Sequence, residues 1–452
     1  MKKIVTALTM GALVAGSAFA DFTVNANYRQ RATLYANYEG NVGGKGFGYL
    51  DAYQGSDTDN LTMKMKGDIV TFDFMAVTDE ATTTKIRLKN VDAEVKLGPV
   101  TLFGGIVADG KSNGAYRVKN DCDAGAFEGT DFEYKKLGSI YAKSPSLFVD
   151  NPLQNVAGAG ENLAASLKYS LDADFGKLDL SGWYISNESS SSVLKANTTP
   201  TTWSNHSLSF LADASLGFGK VEAIVKVGDY NTKKEWESDA DAKAEEATAV
   251  AFGAYVQPQL PVPGLTLTVG GNGSLIAGAF TDWGVDLRAR YATGALSISS
   301  FHAFSGLTDD GVVRLGGTAA TKGIALSTGN DKGKDAGTAF SCTKVMSNNL
   351  LVRYAINERF AVTGIFADMI WLGDVPGTKT ENGEKVANNT DVDTQIDLRF
   401  SAWLQIYAAK KAYVNIGLVE SISNVNKANA PEGVDINPYH AFAIPVIFRV
   451  QM

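Results

Sequence analysis

Apolar and polar residues alternate along most of the chain with a period of two, the spacing that places side chains on opposite faces of a β-strand. In residues 395–406 the even-numbered positions are all apolar, and the odd-numbered ones are mostly polar or charged. In residues 282–291 the odd-numbered positions are apolar, and Asp286, Arg288 and Arg290 lie between them. This alternation recurs over most of the chain and predicts an almost wholly β protein.

The alternating segments predict 18 strands, and 16 would fit nearly as well. Ile86 and Leu88 are out of phase with Val91 and Val95, which indicates either a β-bulge or a miscounted pair of strands. The predicted strands are 22–36, 61–66, 69–78, 85–97, 100–108, 162–173, 177–186, 206–217, 220–229, 249–257, 264–270, 282–292, 295–305, 348–356, 359–370, 394–408, 411–421 and 438–452.

Short and long connections alternate between these strands. Short turns rich in Gly, Asn or charge lie near residues 97–99, 174–177, 217–220, 292–294 and 409–411. Longer polar stretches separate the hairpins at 39–60, 79–84, 109–161, 187–205, 230–248, 271–281, 306–347, 371–393 and 422–437. Membrane barrels have short turns at one edge and long loops at the other, whereas a soluble sandwich has no reason for this asymmetry.

The predicted fold is therefore all-β: a single transmembrane antiparallel β-barrel of about 16–18 strands over residues 21–452, with short periplasmic turns and long external loops. Aromatic residues near strand ends would form interfacial girdles, namely Tyr28, Tyr35, Trp183, Tyr184, Trp283, Tyr291, Trp371 and Tyr413. The alternative interpretation is a secreted soluble β-protein in which these aromatics belong to an ordinary core.

The first 20 residues have the three parts of a secretory signal peptide. Lys2 and Lys3 supply the positive region, residues 4–16 are uncharged and mostly apolar, and Ala18-Phe19-Ala20 matches a cleavage site. We expect cleavage before Asp21 and export of the mature chain.

Composition excludes several classes of protein. The mean hydropathy of −0.06 is too low for a bundle of membrane helices, and two cysteines among 452 residues exclude a disulfide scaffold. Without Lys2 and Lys3 the chain has 39 basic and 49 acidic residues, so no affinity for nucleic acid is expected. The three histidines, His206, His302 and His440, are widely spaced and fit no known catalytic spacing, so neither catalytic residues, a metal site nor a cofactor is predicted.

The last strand gives the chain its family resemblance. Residues 440–452 alternate with Phe442, Ile444, Val446, Phe448, Val450 and Met452 on one face. With the signal peptide and the hairpin rhythm, this strand resembles those of Gram-negative outer-membrane β-barrel porins, including divergent, spirochaete-type surface porins. It differs from the usual pattern in ending with Met452 and in containing Pro445.

The resemblance implies a porin that is not an enzyme, in the outer membrane of a diderm bacterium. Such a protein forms a water-filled channel for passive diffusion of ions and small polar solutes, in contact with outer-membrane lipid and commonly as a homotrimer. The alternative function is a major surface protein or adhesin whose external loops bind host or matrix partners.

Charged residues on the predicted inward rows would line the pore and set its charge bias. The basic set is Lys64, Lys66, Arg87, Arg288, Arg290, Arg353 and Arg399, and the acidic set is Asp73, Glu94, Asp286 and Asp397. Each could equally be an ordinary solvated wall residue.

The resemblance also implies that the third long loop, residues 109–161, folds inward and narrows the pore. Its acidic residues include Asp121, Asp123, Glu128, Asp131 and Glu133, although the segment could instead be a variable surface loop. Cys122 and Cys342 lie in the two longest loops, where they either form a disulfide or remain thiols.

Overall fold

The computed structural model describes residues 21–39, 44–51, 60–67, 70–79, 83–107, 162–186, 206–232, 245–314, 342–423 and 439–451. The predicted signal peptide and the whole of the predicted loop 109–161, including Cys122, lie outside these ranges.

Nearly all the described residues are in strands. The first ten strands are β1 Asp21–Glu39, β2 Gly44–Asp51, β3 Asn60–Lys66, β4 Val70–Asp79, β5 Thr83–Leu97, β6 Val100–Val107, β7 Asn162–Ala173, β8 Gly176–Ser186, β9 His206–Leu216 and β10 Gly219–Thr232. The rest are β11 Glu245–Pro258, β12 Leu265–Ile276, β13 Ala279–Thr293, β14 Leu296–Leu307, β15 Lys344–Ala355, β16 Phe360–Leu372, β17 Thr378–Glu381, β18 Glu384–Ala387, β19 Gln395–Ala409, β20 Ala412–Ser423 and β21 Tyr439–Gln451. One short helix, α1, spans Asp309–Arg314.

The strands pair antiparallel in chain order, and the last pairs with the first. Residues 27–39 of β1 pair with β21, so the ladder returns to its start. On its other side β1 pairs with β3 over residues 21–27 and with β2 over residues 31–38. β2 and β3 both pair with the same side of β1 and so count as one strand position, and β17–β18 is a separate hairpin. Within the described residues the wall therefore has eighteen strand positions. This confirms the predicted barrel and its upper strand number.

Two edges of this wall can be distinguished by their connections. At the turn edge, tight turns join β5 to β6, β7 to β8, β9 to β10, β13 to β14 and β19 to β20. Gly98 and Gly294 adopt positive φ angles of 62° and 52° in two of these turns, where a Cβ would be strained. The opposite edge, called the loop edge, has the connections 108–161, 187–205, 308–343, 373–394 and 424–438.

Two predicted loops contain strands of the wall. β2 Gly44–Asp51 lies within the predicted loop 39–60 and pairs with β1. The sequence also predicts a long connection at residues 271–281, but β12 and β13 extend through most of them and meet at Ala277 and Gly278. Both turn residues have positive φ, 51° and 81°, as a tight two-residue hairpin requires. The other two glycines of this segment, Gly271 and Gly273, occupy outward positions of β12, and the polar residues that alternate with them face inward.

The phase change near residue 90 is a β-bulge. Asp73 of β4 pairs with Asn90 of β5, and the next residue, Phe74, pairs with Leu88, which leaves Lys89 as the extra residue. The bulge shifts the alternation of β5 by one position, as the sequence pattern indicated.

The two faces of the wall have opposite character. Leu167, Phe210, Val285 and Leu418 are among the outward residues and are each at least half exposed. Polar side chains are instead buried on the inward face, including Glu222, Asn272, Asp286, Arg288, Arg399 and Asn415. Apolar side chains such as Ile224 and Phe301 are buried among them, so the inward face mixes polar and apolar groups. A water-soluble fold buries mainly apolar side chains, whereas this wall exposes them outward and buries charged ones inward.

Candidate functional site: the inward face of the barrel

Strand register determines which side chains face inward, because directly paired residues of an antiparallel ladder project from the same face. Asp286 pairs with Gly270 and Ala303, and Arg288 pairs with Thr268 and Phe301. These charged groups are 2% exposed, and Phe301 is fully buried. Because each strand pairs with the next in this way, the inward-facing residues form one continuous face around the barrel.

A three-residue hydrogen-bond network crosses β11, β12 and β13 on this face. The Tyr255 hydroxyl donates to Asp286 Oδ2 at 3.0 Å, and Asn272 Nδ2 donates to the same hydroxyl at 2.7 Å. Gly270 stands directly opposite both Tyr255 and Asp286 in the ladder. Its missing side chain leaves room for the tyrosine ring to lie across β12.

A second network surrounds Arg353 on β15. Its Nε donates to Gln405 Oε1 at 3.0 Å, and its terminal nitrogen donates to the Tyr407 hydroxyl at 3.2 Å. Thr363, which pairs with Arg353, also donates from its hydroxyl to Gln405, at 3.4 Å. These bonds hold a half-buried guanidinium against the wall near the turn edge.

The predicted charged residues divide into three groups. Asp286, Arg288 and Arg399 are inward and buried, and Arg353 is inward and half-buried. A second group is exposed on the same inward register and consists of Lys64, Lys66, Glu94 and Arg290. Lys96 Nζ lies 3.4 Å from Glu94 Oε1 and forms an ion pair with it. The third group is Asp73, Arg87 and Asp397, whose side chains the structure does not describe. Their backbone positions in the ladder are opposite Lys64, Met75 and Met369, respectively.

Sequence reasoning missed Tyr255, Asn272 and Asp282 as inward residues. Asn272 and Asp282 lie in or beside the segment interpreted as a loop, and Asp282 is 5% exposed on β13. The alternation of Gly271, Gly273 and Leu275 with Asn272 and Ser274 was the signal that could have revealed this strand.

Part of the aromatic girdle prediction is wrong. Tyr184, Trp283 and Tyr291 face outward as expected, whereas Trp183, Trp371 and Tyr413 occupy the inward register. Trp371 is 1% exposed and packs with Val345, Ala367 and Met369. Trp183 stacks in a tilted arrangement with Phe103, with ring centroids 5.3 Å apart.

The connection 373–394 packs against the inward side of the wall at its loop edge. Val375 and Val392 contact the apolar cluster around Trp371, and an isolated bridge joins Val375 to Thr390. Asn389 Nδ2 donates to Asp309 Oδ1 at 3.3 Å, which ties this connection to α1. The predicted constriction residues Asp121, Asp123, Glu128, Asp131 and Glu133 lie outside the described ranges, so inward folding of loop 109–161 stays a prediction.

Cys342 is fully buried beside this connection. Its Sγ donates to the carbonyl oxygens of Gly373 at 2.8 Å and Leu372 at 3.3 Å. Burial raises the pKa of the Cys342 thiol, since the thiolate would lose its hydration. Pairing with Cys122 stays a prediction because Cys122 is outside the described residues.

Two further observations apply to the described ranges. They contain no group of three or more His, Cys, Asp or Glu side chains placed to hold a metal ion. No helix within them is long and apolar enough to cross a lipid bilayer.

Comparison with known proteins finds similarity only among solved structures. No protein-family model matches the chain, and no curated protein matches its sequence. OpdL of Pseudomonas aeruginosa is 9% identical with a TM-score of 0.46, and 96% of this chain covers 99% of it. OccAB3 of Acinetobacter baumannii is 9% identical with a TM-score of 0.45, over 96% of this chain and all of that one. OmpT of Vibrio cholerae, an outer-membrane protein solved as a trimer, is 9% identical with a TM-score of 0.37 over 96% of this chain and 99% of its own. These solved structures are of Gram-negative outer-membrane β-barrels, and the likeness concerns the fold alone.

Proposed function

We propose that this protein is an outer-membrane porin that holds a water-filled channel open for passive diffusion of ions and small polar solutes. The observation that supports the proposal best is the difference between the two faces of the wall, with large apolar side chains exposed on the outside and the buried charged and polar groups concentrated on the inside. A closed ladder satisfies the backbone hydrogen bonds of every strand within the wall, which a hydrocarbon environment demands. The exposed apolar face then contacts lipid, and the inward face contacts water.

The inward charges give the channel its bias. Lys64, Lys66 and Arg290 are exposed on the inward register, and Arg353 is held in place by Gln405 and Tyr407. Acidic groups such as Glu94 and Asp286 lie on the same face. Charges of both signs favour weak selectivity, because a permeating ion is attracted by some and repelled by others, and each interaction weakens as the distance between the charges grows.

Conductance in planar lipid bilayers tests the proposal. Purified protein that shifts from a compact to a slower gel mobility on heating should produce discrete conductance steps in KCl. Folded protein that inserts without conductance steps would contradict the porin proposal. If the external loops of that protein also bound a matrix protein, the surface-protein alternative would replace it.

A charge reversal makes the test specific to the wall. Arg353→Glu should raise the cation-to-anion permeability ratio about two- to fivefold, since a unit charge at 4 Å in water changes an ion's energy by about 1 kcal/mol. The matched control is Arg359→Glu, which makes the same charge change in an exposed turn outside the strands. Equal shifts in the reversal potentials of both variants would contradict a wall role for Arg353.

A further inference from the structure

The outward face is uniformly apolar along one side of the barrel. In β7 to β13 the outward positions of 163–171, 178–184, 208–216, 221–227, 250–256, 265–275 and 283–291 are occupied only by aliphatic residues, aromatic residues, Ala or Gly. This is the surface expected where a membrane barrel contacts acyl chains.

The next three strands interrupt that surface with a hydrogen-bonded polar row. His302 on β14, Asn348 on β15 and Asp368 on β16 are successive partners in the ladder. His302 Nδ1 lies 2.7 Å from Asn348 Oδ1, and Asn348 Nδ2 donates to Asp368 Oδ1 at 2.7 Å. Asp368 is 7% exposed, whereas His302 is exposed, so the row ends in an imidazole at the outer surface.

This polar row lies within the apolar band. Toward the loop edge it is followed by an outward apolar row of Phe304, Met346 and Ile370, and only then by the exposed Lys344. His302, Asn348 and Asp368 are six, seven and eight residues from the turn-edge ends of their strands. At about 2.5 Å of height per tilted residue, they are about 15–20 Å from that edge.

A groove lies beside the polar row on the same outward face. Its cavity of about 450 Å³ is lined by residues of five strands, from β15 to β21, among them Leu350, Gly364, Phe366, Phe400, Leu418 and Glu420. A Cβ added to Gly364 would have no atom within 4 Å, so the glycine leaves a depression in the surface. Phe366 and Phe400 stand side by side, with centroids 5.1 Å apart.

Glu420 on β20 provides a carboxylate at the other end of this face. It lies eight residues from Ala412, the turn-edge end of β20, which matches the height of Asp368 above Phe360. We call the outward face formed by β14, β15, β16, β19 and β20 the polar face. The imidazole of His302 and the carboxylate of Glu420 lie at similar heights on its two edges.

We propose that the polar face docks a second copy of this chain, with the His302 edge of one copy against the Glu420 edge of the next. Acyl chains have no hydrogen-bonding groups for an exposed imidazole, and ionisable groups are expensive in hydrocarbon unless polar partners surround them. Copies inserted in the same direction meet at equal heights, so a rotational assembly brings His302 and Glu420 together. The inference rests on the proposed position of the barrel in a membrane.

Cysteine cross-linking in intact outer membranes tests the proposal. In a background with Cys122→Ser and Cys342→Ser, the double variant Ser300→Cys/Leu418→Cys places one thiol on each edge and leaves the polar groups intact. Oxidation should link copies into dimers and larger species on a non-reducing gel. The control pair Leu167→Cys/Phe252→Cys, on outward positions four strands apart on the apolar side, should stay monomeric.

Two further variants test the contacts themselves. His302→Ala and Gly364→Leu, each added to the double-cysteine chain, should lower the linked fraction several-fold, because one removes the imidazole and the other fills the groove. Heat-shifted gel mobility would show that each variant folds, and bilayer conductance would report the channel separately.

The outcomes separate this proposal from the porin proposal. Links at the polar face without conductance would overturn the channel and leave the interface standing. Folded, conducting protein that stays monomeric would overturn the interface, as would equal linking at the control pair. Efficient linking of Ser300→Cys alone would also overturn the arrangement, since identical edges would then be in contact.

Discussion

Tyr255 on β11 donates a hydrogen bond to Asp286 on β13 at 3.0 Å, across the intervening strand β12. The bond crosses a strand because Gly270 stands between the two residues without a side chain. A tyrosine, an aspartate and a glycine on three successive strands therefore act as one unit of the inward wall.

Gly270→Ala should destabilise the barrel by about 1–3 kcal/mol, the usual range for overpacking a filled site. The added Cβ would lie 2.3 Å from the Ala254 carbonyl oxygen and 2.4 Å from the Tyr255 ring, so backbone and ring would both have to move. The control is Gly104→Ala, where no atom lies within 4 Å of the added Cβ. Urea unfolding in lipid vesicles measures both, and equal unfolding midpoints would disprove the close packing.

Tyr255→Phe should lower the free energy of unfolding by about 1–2 kcal/mol, because the Asp286 and Asn272 groups each lose a partner. Tyr354→Phe is the matched control, since Tyr354 is 49% exposed on the outward face. Its unfolding midpoint should stay close to that of the wild type. A larger loss for Tyr354→Phe than for Tyr255→Phe would contradict a structural role for the inward network.

Leu180→Arg should destabilise the barrel by about 2–4 kcal/mol if its outward face meets hydrocarbon at mid-depth. Leu180 is 45% exposed on the outward face, and the next residue, Ser181, lies on the inward register. Ser181→Arg makes the same addition on the inward face and should be tolerated. Unfolding in vesicles distinguishes the two, and a greater loss for Ser181→Arg would reverse the assignment of the faces.

Cys342 should react with iodoacetamide at least about tenfold more slowly in folded than in unfolded protein. Burial both shields the sulfur and raises the pKa of its thiol, and only the thiolate is nucleophilic. Cys122→Ser isolates Cys342 for the measurement by mass spectrometry, and Cys342→Ser is the matched control. Equal rates in both states would contradict the burial.

The same shift has a pH consequence. Because the folded thiol keeps its proton to a higher pH than the unfolded one, the unfolded state ionises first above the ordinary thiol pKa of 9.0. Stability should therefore fall as the pH rises through this range, and Cys342→Ser should remove that contribution.

Much of the barrel could be predicted from local pattern. Alternation in segments such as 395–406 identifies a strand and its two faces, because side-chain direction depends only on the backbone period. Asp286, Arg288 and Arg399 were placed on the inward rows for this reason. The alternation of apolar and polar residues was uninformative in two places. The glycines of 271–281 are typical of a loop, and β16 is apolar on both faces, so the alternation does not determine which way Trp371 points.

The sequence by itself determined the strand class, the approximate strand number and the faces of its clearest strands, because these follow from residues near one another. Only the tertiary structure decided that Tyr255 reaches Asp286, that connection 373–394 packs on the inward wall, and that His302, Asn348 and Asp368 form one row. The hydrogen bonds of the first and last of these join residues at least 20 positions apart in the chain. Register between paired strands brings such residues together, and register is a property of the closed barrel rather than of any one segment.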